Sequence, residues 1–385
     1  MPEKGFIRVP GRHGVRPRTV LAAGLSLAIT ALAAGAAVAQ TQCAAGANAP
    51  AQCPQTQGPF GPVPPYFFNG FQSLDSRTLQ QLANWSNAML GLGTSNFLGQ
   101  GDHYHTLGAS AYDRSWKDDG GTLISNGISM SGNPTRTAAH GWELHDIYDA
   151  GRRLDLPDGQ SLVIAGFANL SRSRTRDAGS PDVARENDFS LSLGAAYRNG
   201  DLYVIGALDG VQGHVRLNSL PGNGTARYTN KGLEGRVFVG RRIRLVDAAT
   251  HGYALSADIG GYGAYLQGNS DAFTDSSRLA YGEGHAKSWL AGGKMTLEAE
   301  IPGKAFVWSP YAGLTFDRYF APHISVQATP DVGAVTYIGR KALTGVEAGI
   351  GISDADNLTL DFKAYTQSNA QLRAVGGVLT LSHPF

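Results

Sequence analysis

Two cysteines in 385 residues cannot staple a fold of this size, so most of the chain is held together by noncovalent contacts alone. Both lie near the N-terminus, Cys43 and Cys53, and in an exported chain they are expected to pair with each other. A lipid anchor on Cys43 would need small apolar residues before it, and Gln40-Thr41-Gln42 does not provide them. Charge is scarce too: 16% of residues are charged and the net charge is +1, which argues against a nucleic-acid partner. The only basic run outside the first 20 residues, Arg241-Arg242-Ile243-Arg244, alternates within a strand pattern and forms no patch. After Ala39 no apolar stretch approaches the roughly 20 residues of a spanning helix, so any membrane role must use strands. Gly-x-Ser-x-Gly, P-loop, dinucleotide-glycine and Cys-x-x-Cys motifs are missing as well, so no enzyme, cofactor or metal centre is expected.

What is present begins with an export signal. Lys4, Arg8, Arg12, Arg16 and Arg18 precede a weakly apolar run from Val20 to Val38 that closes on Ala37-Val38-Ala39. Small residues there suit a signal peptidase, which places cleavage after Ala39 and the mature start at Gln40; the other reading is an uncleaved anchor. Residues 40–72 are rich in Pro, Gln and Ala and poor in large apolar residues, the composition of an extended linker. Within residues 73–98 a helix is expected over 75–90, capped by Ser73, Asp75 or Ser76 and stopped by Gly91 and Gly93. Its patchy apolar face, Leu79, Leu82, Ala83, Met89 and Leu90, suits either the outside of a larger body or the inside of a barrel.

From residue 99 to the end the period is two. Phe189, Leu191, Leu193, Ala195 and Tyr197 alternate with smaller residues and lead into the hairpin signal Asn199-Gly200. Leu233, Val237, Val239 and Leu245 oppose Glu234, Arg236, Arg242 and Arg244; Trp289, Met295 and Leu297 oppose Lys294, Glu298 and Glu300; Leu360 and Phe362 oppose Asp361 and Lys363. Charges gathered on one face of a strand must be hydrated, so with Glu347 these ten residues are expected to line a lumen. They are read first as a network that neutralises itself, and second as a lining that holds a helix or tunes permeation.

Several alternating runs exceed the 5 to 6 residues of a soluble strand and reach the 9 to 11 of a membrane strand. Between Phe306 and Trp308 at one end of a run and Phe316, Tyr319 and Phe320 at the other, ten residues at about 3.3 Å and 45° tilt rise roughly 23 Å, close to the apolar band between aromatic girdles. Ten clear runs after residue 161 and two weaker ones, 102–116 and 140–156, give twelve. The expected fold is therefore all-β, a transmembrane antiparallel up-and-down β-barrel of twelve strands preceded by one short α-helix. Long outer loops are expected near 175–186, 268–284 and 321–336.

The last strand carries Leu379 and Leu381 in alternation toward Phe385, which looks like an outer-membrane assembly signal. With Ser309-Pro310-Tyr311-Ala312-Gly313-Leu314, the strand from Gly235 to Gly240 and Val346-Glu347-Ala348-Gly349-Ile350-Gly351, residues 100–385 resemble the β-domain of bacterial autotransporters. The resemblance implies a barrel in outer-membrane lipids, inserted by the β-barrel assembly machinery with periplasmic chaperones, monomeric, with a helix threading the pore. Residues 40–74 are too short for a β-helical passenger, which implies a vestigial or absent one; the alternative is a porin-like channel or an adhesin acting through its outer loops. Two weaker constellations remain: His103 and His105 share a strand face that could bind a metal, and His145-Asp146 with Asp102 and His103 could be imagined as a catalytic group.

Overall fold

The computed structural model describes residues 103–384 apart from 119–121, 126–127, 132–135, 178–182, 221–223, 328–333, 339–341 and 369–371 and positions 275, 277, 279, 282 and 357. The expected signal, linker and helix, with Cys43, Cys53, Asp102 and Phe385, lie outside the described residues.

Twelve long strands form the wall: β1 (His103–Asp118), β2 (Arg136–Asp155), β3 (Ser161–Asp177), β4 (Val183–Asn199), β5 (Leu202–Leu220) and β6 (Gly224–Val246). They continue as β7 (Ala254–Ser270), β8 (Gly284–Pro302), β9 (Val307–Gln327), β10 (Ala342–Ser353), β11 (Thr359–Ser368) and β12 (Leu372–Pro384). Each pairs antiparallel with its neighbours in sequence, and β12 returns to β1 with Leu381 opposite Leu107, so the sheet closes on itself. The expected barrel of twelve strands is borne out, and both weaker runs are strands in it.

Closure follows from the solvent. Hydrocarbon offers no partner to an unpaired N–H or C=O, and a closed antiparallel sheet has no edge to leave unpaired. The side chains obey the same division. Leu193 is 66% exposed and Leu208 64%, on the face opposite buried Ser192 and Asp209, a distribution that only a lipid-covered exterior makes favourable. Aromatics mark both borders of this outer band. Tyr148, Phe306 and Trp308 stand toward one end; Trp142, Phe189, Trp289, Phe316 and Phe320 stand toward the other. Tyr319 departs from its expected place in the girdle, because its position in the alternation turns it inward against the buried cluster.

The two ends differ. At one end lie both ends of the described chain and the tight connections 156–160, 200–201, 247–253, 303–306 and 354–358. In outer-membrane barrels the end with short turns is periplasmic and the other faces outward. The expected hairpin at Asn199-Gly200 exists, but Asn199 still pairs with Leu202, so the turn is Gly200-Asp201 with φ of 61° at Gly200. Of the two, Gly alone adopts that angle without strain at the first turn position. The strand expected from residue 250 begins at Ala254, because Ala248–His251 forms a helical turn capped by the Asp247 side chain and ended by Gly252 at φ 75°.

The expected outer loops are shorter than the sequence implied. β3 runs to Asp177, β4 begins at Val183 and β9 runs to Gln327. A ladder of backbone hydrogen bonds needs no lipid, so paired strands continue past the bilayer. Segments Ala334–Ile338, Thr122–Ser125 and Ile128–Ser131 extend the sheet further from β9.

Inside, glycines make room for rings. A Cβ on Gly151, Gly240, Gly260, Gly292, Gly349 or Gly376 would come within 3.0 Å of Tyr104, Tyr203, Phe238, Tyr262, Tyr311 or Tyr112, respectively. Each ring lies flat against the wall over a neighbouring strand. Gly292→Val is therefore expected to cost about 1–3 kcal/mol by overpacking. Gly206→Val, on the outer face with nothing within 4 Å of its Cβ, should shift stability by less than about 0.5 kcal/mol. Urea midpoints of the two refolded variants check this, and equal shifts would rule out the packing role.

Candidate functional site

The lumen wall is built from every second residue of each strand. Glu234 and Arg236 are buried on β6 and form an ion pair with each other, with the Arg236 guanidinium also 5.7 Å from the Tyr262 ring centre. Further toward the short-turn end Arg242 donates to Glu298 at 2.7 Å and stands 3.8 Å from Glu300. Lys294 pairs with Glu347 at 2.7 Å, and Lys363 approaches the other oxygen of that carboxylate at 3.8 Å. Asp361 accepts from Tyr311 Oη at 3.1 Å. Arg244, opposite the buried Ser256, comes last in its row and is exposed near the short-turn mouth. Leu379 and Leu381 point the other way, 49% and 43% exposed on the outer face of β12.

A recurring device joins these groups. Tyr203 lies over Gly240 and donates to Asp258 at 2.6 Å, so a β5 side chain reaches β7 across β6. Tyr262 on β7 crosses Gly292 to Asp317 on β9, and Tyr311 on β9 crosses Gly349 to Asp361 on β11. Lys294 reaches Glu347 in the same way past Gly313, where a Cβ would meet the glutamate at 2.9 Å, and Asn230 reaches Glu186 at 2.8 Å past Gly213. Each bridge spans three strands. A side chain on the middle strand would block it, so glycine there is a condition of the contact.

Sequence reasoning missed a second polar region on β2 to β5. His145 sits between Glu143 at 3.1 Å and the Asn169 amide, edge-on to Tyr112 at 5.0 Å. Ser171 donates to Asp188 at 3.0 Å and Ser192 to Asp209 at 2.8 Å. The alternation against Leu144, Leu170 and Leu208 was the available signal. The same parity separates the imagined catalytic group: His145 faces the lumen, while Asp146 and His103 face outward. His105 also faces outward, where its ring nitrogen meets Tyr148 Oη at 2.7 Å, and among the described residues no cluster could hold a metal.

A closed sheet with an apolar exterior, two aromatic girdles and an interior where ion pairs and buried polar groups stand beside an apolar cluster defines a transmembrane β-barrel of the outer-membrane type. Its fold is that of autotransporter β-domains. The β-domain of the Bordetella autotransporter BrkA matches 73% of this chain and all of its own, with a TM-score of 0.52 and 13% identity. The transport unit of AIDA-I from Escherichia coli matches 79% of this chain and 97% of its own, at 0.52 and 14%. The translocator domain of NalP from Neisseria meningitidis matches 82% and 99%, at 0.54 and 12%. No family model and no curated protein sequence matches the chain.

The lumen contacts carry a stability prediction. Tyr262→Phe keeps the ring over Gly292 but leaves the Asp317 carboxylate, 1% exposed, without its donor. The expected loss is about 1–3 kcal/mol. Tyr148→Phe, on the exposed face, should lose less than about 0.5 kcal/mol. Urea unfolding in the same lipid compares them, and a silent Tyr262→Phe would show that the bridge contributes nothing.

Proposed function

We propose that this chain is an outer-membrane translocator barrel that gives its own N-terminal segment a hydrated route through the membrane. The observation that carries the reading is a closed wall of twelve strands whose inner face carries ion pairs and buried polar groups beside an apolar cluster, while its outer face is apolar. In this reading residues 1–39 are a signal peptide cleaved after Ala39. Periplasmic chaperones deliver the chain, the β-barrel assembly machinery inserts it through the last strand, and it works as a monomer. It catalyses no reaction. The helix at 73–98 occupies the lumen, with residues 40–72 as the segment conveyed.

A second reading rests on one observation, the extension of the sheet beyond β9 by Ala334–Ile338, Thr122–Ser125 and Ile128–Ser131. A sheet standing off the outer end of a barrel is a surface on which an adhesin or a channel with gating loops would act.

Single-channel conductance of the refolded mature chain in a planar bilayer, compared with a chain lacking residues 40–98, separates the two. The translocator reading expects a nearly silent full chain and a conducting truncated one. Equal, steady conductance from both would overturn it in favour of the channel. A folded, water-soluble monomer that never inserts would sink both.

A further inference from the structure

On the outer face, pairing register brings four arginines from four strands into one row. Arg174 on β3 lies opposite Arg185 on β4, Arg185 opposite Arg216 on β5, and Arg216 opposite Arg227 on β6. Arg172 stands one outward position below Arg174 on the same strand. Like charges directly opposite each other disfavour a sheet, and three such pairs in succession are a pattern that folding alone does not select. None of these five guanidinium groups meets a carboxylate among the described residues. Two exposed cations elsewhere on the outer face do: Lys231 pairs with Asp271 at 3.5 Å and Arg241 with Asp201 at 3.7 Å.

The height of the row is fixed by its neighbours. Arg174 lies opposite Trp142, a member of the aromatic girdle nearer the long connections, so the row starts at the border between lipid and water. Below it, Leu170, Phe189 and Leu191 are 49–57% exposed and face acyl chains. Because barrel strands tilt by about 35–45°, a row perpendicular to them climbs away from the membrane, here from β3 toward β6. With strands about 4.8 Å apart, the four arginines span roughly 14 Å.

We infer that this row is a docking site for a phosphorylated lipid of the outer leaflet whose headgroup carries at least two phosphates. Guanidinium forks match phosphate oxygens two at a time, and no carboxylate among the described residues pairs with the row. One phosphate cannot reach both ends of a row about 14 Å long, whereas two phosphates separated by a sugar-sized spacer can. The acyl chains of such a lipid fall on Leu170, Phe189 and Leu191. The inference rests on the outer-membrane reading of the barrel, with the long connections outward.

The test uses the full mature chain refolded into phosphatidylcholine vesicles that contain a disaccharide lipid bearing two phosphates, or the same lipid bearing one. Native mass spectrometry of the extracted barrel reads the lipid retained. The barrel is expected to prefer the bisphosphorylated lipid, and R174Q/R185Q/R216Q to weaken that binding by about a hundredfold, at about a factor of five per arginine. A charge-matched triple at the other end, R152Q/R241Q/K304Q, should bind as the parent does. Equal losses in the two triples would reduce the effect to diffuse charge and overturn the inference, as would equal retention of the two lipids. Inorganic pyrophosphate is the soluble arm: if it displaces the lipid at equal concentration, the site takes a free anion and the lipid assignment falls. Protection from added protease reports insertion separately. A chain that fails to insert overturns the barrel reading along with the site, whereas one that inserts without lipid preference overturns the site alone.

Discussion

In hydrocarbon a backbone N–H or C=O without a partner costs several kcal/mol, and the rest of this structure follows from meeting that requirement with strands. The decisive contact is the pairing of β1 with β12, Tyr104 opposite Pro384 through Trp116 opposite Leu372, which turns a sheet into a ring. Once the ring is closed, each residue has one of two environments. Odd and even positions on a strand cannot trade places without moving the whole strand to the wrong face.

A ring of this kind confines its inner side chains, and that confinement accounts for the glycines. Tyr203, Tyr262 and Tyr311 point into a space shared with their neighbours and lie down on the wall, where Gly240, Gly292 and Gly349 accept them. Their hydroxyls then reach Asp258, Asp317 and Asp361 two strands away. Contacts between adjacent strands fix register, whereas contacts that skip a strand also fix the angle between the outer two. These bridges therefore hold curvature, which backbone pairing by itself leaves soft.

The sequence was most legible where one physical signal acted alone. Period-two alternation located all twelve strands, because the two faces meet solvents as different as lipid and water. It also put Glu234, Arg236, Lys294, Asp361 and Lys363 on the face opposite Leu233, Met295 and Phe362. Where competing effects met, the reading slipped. Residues 250–253 look like strand until Asp247 and Gly252 cap a helical turn, and residues 175–177 and 183–186 look like loop because alternation weakens above the bilayer, although the ladder continues. Partners were not legible at all. Nothing near Lys294 announces Glu347, since the bridge depends on Gly313 standing between them in a register set by the whole sheet. The arginine row was hidden for the same reason: Arg174, Arg185, Arg216 and Arg227 are spread over more than fifty residues and meet only when four strands pair.

The interior and the arginine row treat charge in opposite ways, and the contrast is informative. The interior shows that this sequence pairs its cations when it can, even across an intervening strand, as Arg242 does with Glu298 and Lys294 with Glu347. Unpaired arginines on the outer rim are thus not a by-product of a chain short of carboxylates, since acidic and basic residues are nearly equal in number at 31 and 32. They also sit at the end that must cross the bilayer when a barrel inserts from the periplasmic side. Translocating an arginine through hydrocarbon costs about 2.5–3.5 kcal/mol even on the more lenient scales. That cost falls on the path of assembly and not on the finished barrel, where the row starts at the level of lipid headgroups and climbs above it. A feature that slows insertion and repels itself when folded has to draw its benefit from something outside the chain, and at that height the molecules in reach are lipids.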